Sequence, residues 1–260
     1  MFKKTRSVII VVLLLFSAII CGCGAKDKIA SSSQLNGRQF AVPTGTAADQ
    51  LVLSKYPQAT FQYFNTVLDC CMAVKAGKAD VAAYDEPILK NIAAKNPGLV
   101  VLPELITVDN YGFAVALDNK ELKTAIDDVV KELKANGTYD RMMARWFPEN
   151  GSPEPMPEIK LDGGGGVLRL GTAAVTEPFS FVDGSQKVVG FDVELAAYVA
   201  QKLGVKLEVV NMDFGAMIPA LTAGKVDMIG ACMTITDERA KKVLFTEPYY
   251  QGGIAALVKE

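Results

Sequence analysis

The chain is expected to fold as two related α/β lobes rather than as one continuous sheet, and three observations carry that expectation. Strand-like apolar runs alternate with helical ones through both halves, the halves repeat one another, and a stretch rich in proline and glycine separates them. The repeat is local and specific. Helix, small residues, Gly-Lys-x-Asp and strand occur at 73–81 (AVKAGKADV) and again at 220–228 (ALTAGKVDM). A strand running into Gly-Thr-Ala-Ala occurs at 40–48 and at 168–174. Two lobes whose loop edges face each other make a cleft.

The 260 residues suffice for one large domain or two small lobes, and a composition of 50% hydrophobic and 22% charged residues is that of a globular protein. Lys3, Lys4 and Arg6 precede an apolar run over 8–20, followed by Cys21, Gly22, Cys23 and Gly24, which is the layout of a secretory signal over 1–22. The run is shorter than the roughly 20 residues that cross a bilayer as a helix. Ile20, Cys21 and Gly22 before Cys23 resemble the bacterial lipobox, so Cys23 is expected to carry acyl chains, palmitate among them, and to anchor the chain to the membrane. An uncleaved anchor or ordinary secretion is the alternative. The formal net charge is -2 with the basic leader included, and an acidic export product without basic clusters is a poor nucleic-acid binder. There is no histidine, and Cys70, Cys71 and Cys232 offer no CxxC spacing, so neither a metal site nor a cofactor is expected. Buried free thiols are expected for Cys70 and Cys71, with a disulfide to Cys232 the other possibility.

In order, 23–36 is a polar, serine-rich tether, with order expected from Gly37. Strands follow at 40–42, 61–64 and 81–84, with helices from 47 to about 56 and over 65–76, the latter stopped by Gly77. Pro87 opens the next helix, to Lys95. A strand over 99–102 and a longer one over 111–117 lead to a helix in which Asp118 and Glu121 form a capping pair, with Leu122, Ile126, Val129, Val130 and Leu133 on one face. The helix over 139–147 carries Met142, Met143, Trp146 and Phe147 at helical spacing, which reads as packing. Pro148, Pro153, Pro155, Pro157 and Gly163 to Gly166 form a linker. The second half adds strands at 168–171, 179–182 and 206–210, helices at 191–203 and 214–223, and a last strand at 254–259.

The densest stretch is 224–250, GKVDMIGACMTITDERAKKVLFTEPYY. Thr236 reads as a helix N-cap with Asp237 and Glu238 in the first turn. Free N–H groups, the Thr234 hydroxyl and the Arg239 guanidinium then make an anion site able to hold a carboxylate. The same spacing also fits a surface turn with a solvated arginine. In the first half, Thr46 lies in a glycine-containing corner before a helix, a weaker anion-accepting signal. Asp85 stands at the end of a strand, where it could meet an ammonium group or simply be solvated.

The segments LRLGTAAVTEPFSFVDG, VVGFDVELAAYVAQKLG and MDFGAMIPALTAGKVDMIGACMTITDERAKKVLFTEPYY resemble lobe 1 of the family-3 bacterial extracellular solute-binding proteins. GRQFAVPTGTAADQ and AVKAGKADVAAYDEP resemble lobe 2, and YGFAVALDNKELKTAIDDVVKELKANGTYDRMMARWF resembles the part that completes lobe 1. The resemblance implies a two-lobe periplasmic-binding-protein-like fold of type II, each lobe a sheet flanked by helices. The order departs from the family's. Here 37–108 is lobe 2, 109–150 the C-terminal part of lobe 1, 151–166 the linker and 167–260 the N-terminal part of lobe 1, as in a circular permutant. A fragment of two fused binding proteins is the competing reading. One inter-lobe crossing, near 107–111, is expected to be covalent and the other broken between Glu260 and Leu35.

The resemblance further implies that Arg239 binds an α-carboxylate with the backbone of Thr234, Thr46 and Ala47. It implies that Asp85 holds the α-ammonium with Thr234 and the Cys232 carbonyl, and that Phe214 lines the pocket. Ala173 and Thr176 stand where many relatives carry an acidic and an aromatic residue, and Pro43 where some carry a long polar one, so a neutral polar or small amino acid is favoured over a basic one. The function implied is that of a lipid-anchored, monomeric, extracytoplasmic amino-acid receptor delivering to an ABC permease and its ATPase. The alternatives are a dehydratase of cyclic acids, for which only Glu177, Asp85 and Asp213 could act as acid or base, and a ligand-sensing domain.

Overall fold

A computed structural model describes residues 28–148, 153–161 and 163–260. The signal over 1–22 and the acylation expected at Cys23 lie outside the described residues. Two five-stranded sheets organise the chain. The first runs Thr60–Phe64, Gln39–Pro43, Val81–Asp85, Ile254–Lys259, Leu99–Val101, and the second Lys206–Asn211, Val167–Thr172, Met228–Ile229, Ala114–Val115, Leu244–Phe245. In each, the first three strands are parallel and the fourth is antiparallel to both its neighbours.

Side chains that alternate along a strand explain the layering. In the first sheet Ala41, Ala82 and Leu257 pack on helices Val67–Lys75 and Glu86–Ala94, while Phe40, Val42, Val81 and Ala256 face helix Ala48–Lys55. Both faces are covered over the central strands, which are apolar, while the edge strand Thr60–Phe64 is half exposed. In the second sheet Leu168, Leu170 and Met228 share a core with helices Phe191–Leu203, Lys120–Ala135 and Thr138–Trp146, and Ile229 and Ala114 pack toward helix Met217–Thr222. Met142 and Trp146 are fully buried in that core.

The two lobes are joined by a two-stranded hinge in which Asp109–Tyr111 pairs antiparallel with Tyr250–Gly252. Two expectations are corrected here. The stretch 167–260 does not stay in one lobe: Ile254–Lys259 is the fourth strand of the first sheet. The second inter-lobe crossing is therefore not broken, because 250–254 carries the chain across covalently. Each crossing delivers the antiparallel strand of the lobe it enters, 114–115 in one direction and 254–259 in the other. In the first lobe, Val258, Lys259 and Glu260 line a groove together with Lys28, Ile29 and Arg38.

Smaller departures have local causes. Order begins before Gly37, because Ile29 and Leu35 are apolar enough to bury against Val42, Val52 and Val258. The strand expected over 111–117 splits at Gly112 and Phe113, where the chain leaves the hinge and enters the second sheet. Asn119, not Asp118, caps the helix that follows, its Oδ1 accepting from the Leu122 N–H at 3.1 Å. The described part of the linker lies on the protein surface: Met156 and Leu161 pack on the core, and the Gln201 amide donates to the Lys160 carbonyl.

Candidate functional site

The site is built from the ends of elements. Thr236 caps helix Asp237–Ala240, its Oγ1 accepting from the Arg239 N–H at 3.3 Å. The cap fixes the turn so that the Arg239 guanidinium folds back, donating from Nη1 to the Thr234 carbonyl at 2.9 Å and lying 5.3 Å above the Phe214 ring. Burial pulls the Arg239 pKa below its ordinary value, but an arginine keeps its proton throughout the accessible pH range.

Asp85 ends strand Val81–Asp85 in the opposite lobe and is 4% exposed. The Tyr111 hydroxyl donates to its Oδ1, and the Cys232 thiol lies 4.0 Å from its Oδ2. Burial pushes its pKa up to about 7 against the hydrogen bond from Tyr111, while Asp109 adds to the rise and Arg239 opposes it.

Arg239, Asp85, Thr234, Cys232, Phe214, Thr46 and Ala47 all line one cavity, together with Tyr84, Ala48 and Ile254. Its free volume is about 10 Å³, room for about one water. Arg239 and Asp85 face this space from different lobes, each feeling the other's charge, and form no direct ion pair among the described residues. Between them, the N-terminus of helix Ala48–Lys55 reaches the same cavity from the Asp85 side, with Ala47 at the cap position and the Thr46 hydroxyl donating to the Pro43 carbonyl.

Ala173 and Thr176 are not on that cavity. Both are buried and line a neighbouring inter-lobe cavity of about 500 Å³, which shares Thr46, Tyr84 and Phe214 with the first and is also lined by Pro43, Asn65, Asn211 and Asp213. The Thr176 hydroxyl is turned inward to the Ala173 carbonyl at 3.0 Å.

Some contacts had no sequence signal. Cys232 adopts φ +44, and its N–H donates to Asp192 Oδ2 at 2.7 Å. Asp192 is fully buried at the start of helix Phe191–Leu203, and burial pushes its pKa up to about 7. Its sequence position, in the first turn of an otherwise apolar helix, suggests an ordinary N-terminal acid. Glu177, named above as a possible acid or base, bridges the lobes to Lys95 at 2.7 Å. Cys70, Cys71 and Cys232 are all buried free thiols, so the disulfide alternative is set aside. Burial pushes the Cys71 thiol up to about 12. Among the described residues no three His, Cys, Asp or Glu side chains converge as a metal site, and no helix is long and apolar enough to cross a membrane.

Comparison with known proteins adds the following. Residues 168–260 match the bacterial extracellular solute-binding proteins, family 3. The chain is 46% identical over 84 residues to a probable histidine-binding protein of Campylobacter jejuni, covering 32% of each chain. It is 46% identical over 83 residues to the arginine-binding extracellular protein ArtP of Bacillus subtilis, again covering 32% of each. It thus spans about a third of the length of the curated relatives it matches. Among solved structures, the arginine-bound domain 1 of TmArgBP is 43% identical, with 36% of this chain and 80% of that one covered and a TM-score of 0.33.

Proposed function

We propose that this chain, whose residues 168–260 match the family-3 bacterial extracellular solute-binding proteins, is a non-catalytic extracytoplasmic receptor that closes its two lobes around a free amino acid. One observation carries the reading. A guanidinium and a carboxylate of opposite lobes line a single cavity without pairing with each other. A zwitterion's carboxylate and ammonium match that pair in sign. By joining Arg239 to Asp85, the ligand gains contacts in the closed state that the open state lacks, so binding drives closure.

In this reading Arg239, the Thr234 backbone and the amide corner at Thr46 and Ala47 hold the α-carboxylate. Asp85 holds the ammonium with help from Thr234 and the Cys232 carbonyl, and Phe214 packs on the ligand. The side chain extends toward the 500 Å³ cavity past Ala173 and Thr176. Its mixed lining, in which Asn65, Thr66 and Asn211 are polar members beside Ala173, Val175 and Met212, favours a small or polar uncharged side chain, with Asp213 the one carboxylate there among the described residues. The curated relatives are named for histidine, arginine and, in a third from Escherichia coli, L-cystine. We further propose acylation of Cys23, a cell-envelope location, and an ABC permease with its ATPase as partners. The lobe order is that of a circular permutant, supported by the paired five-stranded sheets and by the groove that Ile29 and Lys259 share.

Calorimetry against the twenty amino acids tests the reading. At least one should bind, and Arg239→Ala should abolish that binding. Near-normal affinity in Arg239→Ala would remove the carboxylate site from this place.

A further inference from the structure

Tyr111 ties the hinge to the site. It is fully buried on hinge strand Asp109–Tyr111, where it faces Tyr250 of the other hinge strand, the two rings stacked at 5.6 Å and Phe179 meeting it edge-on at 5.9 Å. Its backbone forms an isolated antiparallel bridge with Thr234, and its carbonyl accepts from the Tyr249 N–H at 3.0 Å. Its hydroxyl donates to Asp85 in the lobe on the far side of the cavity. The hydroxyl reaches Asp85 because residue 252 has no side chain: a Cβ on Gly252 would lie 2.5 Å from the Tyr111 oxygen.

A carboxylate buried among apolar groups has two ways to lower its energy, to take up a proton or to accept hydrogen bonds. A protonated Asp85 would be useless to an ammonium ligand. Resting on the clamp reading above, we propose that Tyr111 is the positioning residue of the ammonium site: its hydroxyl holds one oxygen of Asp85, keeps the carboxylate charged, and leaves the other oxygen turned toward the ligand. Among the side chains around Asp85, Tyr111 donates the hydrogen bond that does most to hold its charge, beside a smaller share from Asp85's own backbone. Asp109 on the hinge strand repels the charge, Arg239 from helix Asp237–Ala240 favours it without touching it, and Cys232, Tyr84 and Tyr250 are neutral near pH 7, their own values pushed up chiefly by burial. Because Tyr111 sits on the segment that bends when lobes separate, the same bond ties the readiness of the ammonium site to the hinge.

The test is Tyr111→Phe, which removes the hydroxyl and keeps the ring contacts, with Gly252→Ala as a second variant that leaves the hydroxyl in place but crowds it off Asp85. In ligand-free protein, the Asp85 carboxyl is titrated by ¹³C-aspartate NMR, with Asp85→Asn assigning the resonance. Both variants should raise its midpoint by about one unit or more, the equivalent of a tenfold change in proton affinity. In calorimetry with L-arginine, L-histidine and L-glutamine, the probe that binds should lose about tenfold or more at pH 6 and recover most of it at pH 8.5. An unchanged midpoint, or an equal loss at both pH values, would assign Tyr111 a purely structural part and overturn the proposal. If none of the three binds the unaltered protein, the clamp reading fails for those ligands, while the ligand-free midpoint still decides what Tyr111 does to Asp85.

Discussion

Gly45 and Gly215 meet backbone to backbone across the cleft. A Cβ placed on Gly45 would stand 2.8 Å from the Gly215 Cα, and Gly45 itself holds φ +78. The two positions belong to the anion-accepting corner of one lobe and to the turn carrying Phe214 in the other. The absence of side chains there lets the lobes approach until the cavity between Arg239 and Asp85 holds about one water.

Gly45→Ala should therefore act on closure more than on the lobes themselves. The positive φ alone costs about 1 kcal/mol in an L-residue, and the added methyl meets backbone that cannot turn aside. Small-angle scattering should show a larger radius of gyration, and ligand affinity should fall at least tenfold. Unchanged scattering and affinity would mean that this contact does not limit closure.

Lys95 and Glu177 form an ion pair between the lobes at 2.7 Å, with the lysine largely exposed. Exposed pairs contribute little. Glu177→Gln should weaken ligand affinity less than about fivefold, and the difference should vanish in high salt as the charges are screened. A larger, salt-insensitive loss would place Glu177 on the ligand instead.

Glu194 is fully buried and accepts from Arg145 at 2.9 and 3.1 Å and from the Trp146 indole at 2.6 Å. These bonds fasten helix Thr138–Trp146 to helix Phe191–Leu203. Removing one partner of a buried pair costs about 3 kcal/mol, so Glu194→Ala should lower the urea midpoint sharply, with Trp146 fluorescence reporting the transition. Glu194→Gln, which still accepts from the indole, should lose less.

Asp192 supplies a pH dependence whose sign is opposite to that of a surface carboxylate. Burial raises its pKa to about 7 in the folded protein, above its ordinary value near 4. Between those two values the folded state binds the extra proton, so stability from this group falls as pH rises from about 4 to about 7. Its Oδ1 has no hydrogen-bond partner, and the Tyr249 hydroxyl faces it without hydrogen-bond geometry. Asp192→Asn can still accept from the Cys232 N–H, so it should flatten this slope and match or exceed the parent's stability at pH 8. Denaturation at pH 5 and pH 8 measures both. A slope unchanged by the substitution would show that Asp192 is not its source; Asp85, shifted the same way, should leave part of it behind.

Much of the architecture was legible because it depends on local chemistry. Thr236 caps the turn that aims Arg239, and the two Gly-Lys-x-Asp echoes introduce strands that hold the same third place in their sheets. Asp85 and Arg239 were readable as opposite charges at element ends. The destination of the last strand was not readable: Ile254 to Val258 are apolar on both faces, which announces a central strand but not which sheet receives it. Nor were Tyr111 and Asp192, whose roles depend on partners 26 and 40 residues away. Ala173 and Thr176 were assigned to the site from resemblance alone, and the structure sets them in the next cavity.

The antiparallel fourth strand of the first sheet bears on how the protein comes into being. Residues 39–101 provide four of that sheet's five strands early in synthesis, yet the place between Val81–Asp85 and Leu99–Val101 belongs to 254–259. Until residues 254–259 leave the ribosome, the nascent lobe lacks its fourth strand and leaves two strand edges unpaired, Asp85 among them. Contacts of such long sequence separation slow folding and expose edges to wrong partners. The ammonium half of the site begins with residues 39–101 and is completed only by 254–259.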